Sequence, residues 1–446
     1  MQILFLNKNF FLKNYKIFLL IFILFLIFYR SPYIFINGRF VAEEGSFWFR
    51  NAYLFGPIKG FTQVFVGSGY FNLWPNISSV VATFLPLEFS PLATVYMSFL
   101  VNLFLVIFII YGKSNFIISG FDKLIVCLLT LVTPPMVAEV WLNTLTSQVY
   151  FSMITILIYF QIENSNNIFK SLSPIILLIS GLTSLIPCVF LPFFIYKWYF
   201  QKNFSNLLNF ITLGFATLFQ LCIYSFIKIN SLEFSGKNLR YDITFDKIVS
   251  FFYNVIIKTF FGRDLTQLFY YKYFGMINLP ILIALLSLLI LIILKFNYKK
   301  IKEDKILKFL ILFFLIQSLF VIYGGKDNQV QGRFALIPSI LLLFITYRCF
   351  QITEGFKKKI FALLIFFSLT IGFYEYKINN KYKQFLECYN CPIWIDELDK
   401  WKQDKNYKIK IWDYPRKYML LNEYINGKIF LQKYHIIIFN FICYIY

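Results

Sequence analysis

A single histidine, His435, stands in 446 residues, close to the C-terminus. That excludes a Ser-His-Asp triad and a Cys/His zinc site of four ligands. Charge is scarce as well. Only 15% of the residues are Asp, Glu, Lys or Arg, against roughly a quarter in soluble domains. Acidic charge is scarcest, with 22 Asp and Glu against 43 Lys and Arg. The chain lacks a Gly-rich phosphate loop, an internal repeat and any nucleic-acid motif, so its formal net charge of +21 does not argue for nucleic acid as a partner. Cys127, Cys188, Cys222, Cys349 and Cys443 are scattered singly and read as small apolar residues; Cys388 and Cys391 form a lone C-x-x-C.

What the chain has is hydrophobic length. It is 59% hydrophobic, with a mean hydropathy of +0.66. Apolar runs near the length that a bilayer core of about 30 Å demands recur along it. The fold class is therefore all-α membrane: a polytopic transmembrane helical bundle of roughly ten passes. Lysines fall between the runs. Lys8, Lys13 and Lys16 precede the first span, residues 17–29, and place the N-terminus in the cytoplasm; the basic run 295–308 and Lys357-Lys358-Lys359 mark the same side. Residues 1–30 have a basic start and an apolar stretch, but no small-residue cleavage site follows, so they read as an uncleaved span.

This layout predicts a transmembrane domain over 1–376 with outer loops 37–74, 139–148, 228–273 and 324–333. A small polar outer segment, 377–446, follows it. The loop 37–74 is rich in glycine and aromatics. It is expected to form short helices at the interface, with Trp48 and Trp74 at headgroup depth. Residues 173–198 are interrupted by Gly181, Pro187 and Pro192, which predicts two half-helices that enter and return.

Inner loops are basic, and the conspicuous acids Glu43, Glu44, Glu139, Asp242, Asp246 and Asp264 fall outside, so chemistry is expected on the outer face. Glu43 and Glu44 follow the first span. Adjacent carboxylates repel, so one can carry a raised pKa and serve as base or acid. Together they can hold a divalent cation; no other metal or cofactor site is indicated. The alternative is a solvated pair balancing Arg39 and Arg50. Glu139 opens a polar island with Trp141, Asn143, Thr144, Ser147 and Gln148, which reads as a substrate contact or as a helix cap. Arg333, after Gln331 and Gly332, can grip a phosphate bidentately or snorkel to lipid headgroups. Charged residues are nearly absent within the spans, which argues against an ion-coupled transporter.

An uncleaved first span, a first outer loop opening with paired acids, many further spans and a polar outer C-terminal part resemble the GT-C class of membrane glycosyltransferases. More narrowly, three motifs resemble a group of uncharacterised bacterial multi-spanning proteins associated with that class. They are Arg39-Phe40-x-Ala42-Glu43-Glu44-Gly45, Glu139-Val140-Trp141-Leu142-Asn143, and Gln331-Gly332-Arg333-Phe334 with Pro338. Lys410-Ile411-Trp412 and Pro415 are similar to that group's tail. The resemblance implies a polyprenyl-phosphate-linked sugar donor and a lipid, glycan or protein acceptor. It implies a bacterial inner membrane protein with its C-terminal segment in the periplasm. Glu43 or Glu44 would be the catalytic base, where the class often has Asp. Arg333 would hold the donor phosphate, with Arg39, Glu139, Asn143, Gln148 and Gln331 around the substrate. The alternatives are a flippase for lipid-linked glycans and a non-enzymatic cell-envelope protein. A flippase calls for polar groups along a transmembrane path, whereas here they gather at one face.

Overall fold

The computed structural model describes residues 6–134, 140–162, 168–229, 243–273, 302–324, 330, 332–377, 391–412 and 418–422. The apolar runs at 276–294 and in the last twelve residues, and the positions Glu139, Gln331 and Cys388, lie outside the described residues. Long apolar runs become long helices. Leu87–Tyr111, Phe204–Ile229, Lys305–Gly324 and Arg333–Ile352 are each long and apolar enough to cross a membrane. The protein is a membrane-embedded helical protein.

In chain order the helices begin with α1 (Leu6–Arg30), α2 (Pro32–Asn37), α3 (Arg50–Phe55), α4 (Pro57–Thr62), α5 (Leu73–Thr83) and α6 (Ser90–Tyr111). The middle of the chain gives α7 (Gly120–Leu131), α8 (Ser147–Tyr159), α9 (Ile168–Thr183), α10 (Leu185–Cys188), α11 (Leu191–Gln201) and α12 (Phe204–Ile229). Then come α13 (Phe245–Phe251), α14 (Lys258–Tyr273), α15 (Lys305–Gly324), α16 (Arg333–Ile352), α17 (Gly355–Lys377) and α18 (Trp394–Gln403). Among the described residues the only sheet is a pair of two-residue antiparallel strands, β1 (Ile409–Lys410) and β2 (Tyr418–Met419), with Ile409 opposite Met419. A continuous core runs through the bundle, built by Leu105 and Ile109 of α6, Leu129 of α7, Ile154 of α8, Phe313 of α15 and Phe344 of α16.

One end of the bundle is basic. It holds the end of α6, the start of α7, the end of α8 and the start of α15. Ser119 and Asp122 form a reciprocal capping box that starts α7. Asp122 also accepts hydrogen bonds from the Tyr347 hydroxyl and from Gln351 Nε2, tying α7 to α16. Arg348 Nη2 meets Asp304 at 2.6 Å beside them. The interrupted stretch goes out and back at this end. Ser173 Oγ of α9 donates to Gln161 Oε1 at 2.9 Å, and Lys197 Nζ of α11 donates to the Tyr159 carbonyl at 2.6 Å and to that of Gln161 at 3.4 Å. Between those two points α9 passes Ser180, which meets Thr155 of α8, and reaches Gly181, whose carbonyl accepts the Gln220 Nε2 that also bonds the Phe71 carbonyl of the loop 37–74.

At the opposite end the loop 37–74 is folded rather than flat. A π-helical turn, Glu44–Phe49, leads into α3. Trp48 is 4% exposed, against the rings of Phe47 and Phe65. Trp74 is half-buried, stacks edge-on against Phe151 and donates its indole N–H to the Met97 carbonyl. The C-terminal segment packs on the same loop. Phe40 and Phe49 share one apolar cluster with Trp394, Leu398, Trp401, Ile411 and Leu421. Residues 245–273 are helical and pack along α17 through Gly262, whose φ of +69° and close approach to Ile371 and Glu375 leave no room for a Cβ. Cys127, Cys188 and Cys349 are buried, Cys222 is exposed on α12, and Cys391 is disulfide-bonded.

Candidate functional site: a buried charge clasp

The clasp is made by two strained turns. Gly38 turns the chain out of α2 with a φ of +65° and delivers Arg39. Ala42 then adopts a φ of +47°, uncommon for a residue with a side chain, and bends Glu44 back so that one of its oxygens, Oε2, accepts the Val41 N–H at 3.2 Å. Leu142 has the same φ of +47° in the facing segment. Strain of this kind persists where its surroundings over-determine it, and it concentrates at functional sites.

Between the two turns the contacts are polar and fully buried. Glu44 Oε1 accepts both the N–H of Thr144, at 3.0 Å, and its hydroxyl, at 2.5 Å, across 100 positions of sequence. Arg39 Nη2 donates to the Trp141 carbonyl at 2.7 Å. Arg39 and Glu44 are 1% and 2% exposed. The C-terminal segment closes the top. The Arg39 guanidinium lies 4.7 Å from the Trp412 ring centre, and Trp412 exchanges backbone hydrogen bonds with Phe40 and Ala42. The Nε and Nη1 of Arg39 have no hydrogen-bond partner among the described residues.

Electrostatics pull both ways. Burial pushes the Glu44 carboxyl above the ordinary carboxylate value, while the Thr144 and Val41 donors and the Arg39 charge pull it back. Burial lowers the Arg39 pKa to about 10, opposed by Glu44 and reinforced by Arg30, so the guanidinium stays charged at neutral pH. Arg30 is itself 2% exposed, with its guanidinium 4.6 Å from the Trp141 ring and 4.4 Å from the Tyr376 ring. Among the described residues, two guanidinium groups thus share this buried region with one carboxylate, that of Glu44.

The other expected site residues divide. Gln148 lies at the clasp's flank, where its Oε1 accepts the Tyr70 hydroxyl at 2.9 Å. Asn143 Oδ1 accepts the Leu145 N–H at 2.9 Å and caps the short 3-10 turn that presents Thr144. Glu43 is half-buried at the rim. Arg333 opens α16 with its guanidinium 5.5 Å from the Phe334 ring, beside a separate apolar cluster of Phe251, Val255, Val321, Val330 and Ala335. The structure therefore brings Arg39, Glu44, Asn143 and Gln148 together and seats Arg333 elsewhere. Both Glu44 oxygens are taken by protein donors. Among the described residues no group of three Asp, Glu, His or Cys gathers that could hold a metal ion.

Sequence reasoning missed Arg30, Tyr70 and Glu375, and named Thr144 only as a member of the polar island, without its partner Glu44. Arg30 had a signal, a guanidinium closing an apolar run with Arg39 nearby. Glu375 closes the last apolar run in the same way, and its Oε1 accepts the Arg263 N–H. Tyr70 carries no signal that separates it from other tyrosines. No family model, no curated protein and no solved structure matches this chain.

Proposed function

We propose that the protein is a GT-C-like glycosyltransferase of the bacterial inner membrane. It moves a sugar from a polyprenyl-phosphate-linked donor to a lipid, glycan or protein acceptor at the periplasmic face. The observation that carries this reading is Arg39, a buried and charged guanidinium with two N–H-bearing nitrogens not used by any described residue. Such donors in a dry site stabilise charge developing on a departing lipid phosphate. The phosphate contact thus falls on Arg39, in a region that also holds Arg30, rather than on Arg333. Glu43, at the rim, takes the acceptor proton, and Glu44 next to it is a positioning residue that holds Arg39. Gln148 with Tyr70, and Asn143, orient the sugar. Trp412 covers the guanidinium, so donor entry requires Trp412 to move aside.

A second reading, a non-enzymatic envelope protein, is favoured by one observation: Glu44 is fully satisfied by Thr144 and Val41, as in a purely structural clasp. The test restores cells lacking the protein with the native chain, Glu43→Gln or Arg39→Lys, at equal membrane levels. Surface glycans and lipid-linked sugars are then measured by mass spectrometry. Only the native chain should restore the missing sugar, with unmodified acceptor accumulating in both variants. If Glu43→Gln restores it fully, the transferase mechanism fails and the structural reading stands.

A further inference from the structure

A second site lies at the basic end. A cavity of about 970 Å³ opens between α8, α11 and α15, at the upper end of ordinary ligand pockets of roughly 300–1,000 Å³. Its wall is aromatic: Phe309 of α15 packs edge-on against Tyr159 at 5.0 Å and Tyr196 at 5.4 Å. Its rim carries three lysines, Lys197, Lys305 and Lys308. Lys305 and Lys308 are exposed in the first turn of α15, and the neighbouring Asp304 is engaged by Arg348. Among the described residues nothing seals the side wall. Tyr196 is 47%, Phe200 64% and Leu312 44% exposed, and in a membrane-embedded bundle such apolar exposure meets acyl chains.

We infer that this cavity binds an anionic phospholipid of the surrounding leaflet, its phosphate at Lys197, Lys305 and Lys308 and one acyl chain along the Tyr196–Phe309 wall. Charge and shape both argue for that occupant. Clustered lysines beside a bilayer attract anionic headgroups, and basic pockets between helices on the side that lysines mark hold them specifically. A free anion would have no use for the ring-lined depth of the cavity, and a zwitterionic headgroup would carry a cation into the lysine rim. The site lies at the opposite end from the clasp and does not depend on sugar transfer.

The test uses the full chain in phosphatidylcholine nanodiscs containing a trace of phosphatidylglycerol with a photoreactive acyl chain. A parallel sample carries the same label on phosphatidylcholine. Cross-linked peptides are mapped by mass spectrometry. The phosphatidylglycerol label should land on residues 191–201 and 305–324 at least about fivefold more than the phosphatidylcholine label. Lys305→Gln with Lys308→Gln, at exposed positions that leave the fold alone, should remove most of that excess, and Lys305→Arg with Lys308→Arg should keep it. The variant Lys357→Gln, Lys358→Gln, Lys359→Gln, which removes charge elsewhere on the same face, should change nothing. Equal labelling by the two lipids, or labelling untouched by loss of Lys305 and Lys308, overturns the inference. So does complete competition by inorganic phosphate, which would make this a free-anion site.

Discussion

The two ends of the bundle use charge in opposite ways. At the clasp, Arg39 and Glu44 are carried inside, and each is fastened to backbone across a long sequence gap. At the basic end, Lys305 and Lys308 stay outside around an open cavity. Burying a carboxylate is tolerable only when hydrogen bonds satisfy it, and the Val41 and Thr144 donors do that for Glu44. Exposed charges contribute little to stability but remain available to a ligand. Cover makes the difference. The C-terminal segment folds over the first loop at one end, while rings and lysines stay open at the other.

The largest expected effect breaks the clasp itself. In Glu44→Gln, one face of the amide would present an N–H to the Val41 or Thr144 N–H, and the two buried donors left facing each other should cost about 1–3 kcal/mol apiece. Thermal unfolding of the purified protein in detergent should show the loss as a much lower midpoint. Glu43→Gln, one residue away and half-buried, should cost about 1 kcal/mol or less. Equal losses would mean that the neighbours do not differ in role. Next in size comes Thr144→Val, which removes only the hydroxyl bond to the carboxylate and should cost about 1.5–3 kcal/mol in the same measurement. At the basic end, Lys305→Gln with Lys308→Gln should move the midpoint by no more than about 0.5 kcal/mol per substitution. A larger shift there would mean that those lysines hold the bundle together as well as facing the cavity.

The helices themselves were legible because a bilayer imposes length on apolar runs, and the lysines between runs mark one end. The turn-back between α9 and α11 was legible from Pro187 and Pro192, although Gly181 lies inside α9 and the chain breaks three residues later, at Ser184. The importance of residues 39–44 was visible from two carboxylates beside a span. Their partners were not. The Glu44–Thr144 contact depends on how helices far apart in sequence pack, and nothing local to Thr144 announces it. The burial of Trp48 was hidden because it depends on how its own loop folds back, bringing Phe65 and Gln63 onto it. Residues 245–273 look like a polar loop because their helices carry charge among the apolar positions and rely on α17 for packing.

The smallest effect concerns pH and sets two buried carboxylates against each other. Glu397 of α18 is 3% exposed, and burial alone would raise its pKa. Its hydrogen bonds from Lys400, Tyr407 and the Lys410 N–H outweigh that and hold it below the ordinary value of 4.5. A pKa lowered by folding gives stability that is present above pH 4.5 and lost as pH falls below it. Glu44 has the opposite sign. Its raised pKa gives stability that is fully present below pH 4.5 and lost as pH rises through the raised value. Acidification through the raised Glu44 value should therefore tighten residues 41–49 while leaving 394–403 unchanged, and only below pH 4.5 should 394–403 loosen. Hydrogen exchange, corrected for the intrinsic pH dependence of the amides, reads the two segments in one experiment. Loosening of both together on mild acidification would show that Glu44 is held as a carboxylate more firmly than its burial allows, and would place the clasp and the C-terminal segment in one acid-sensitive unit.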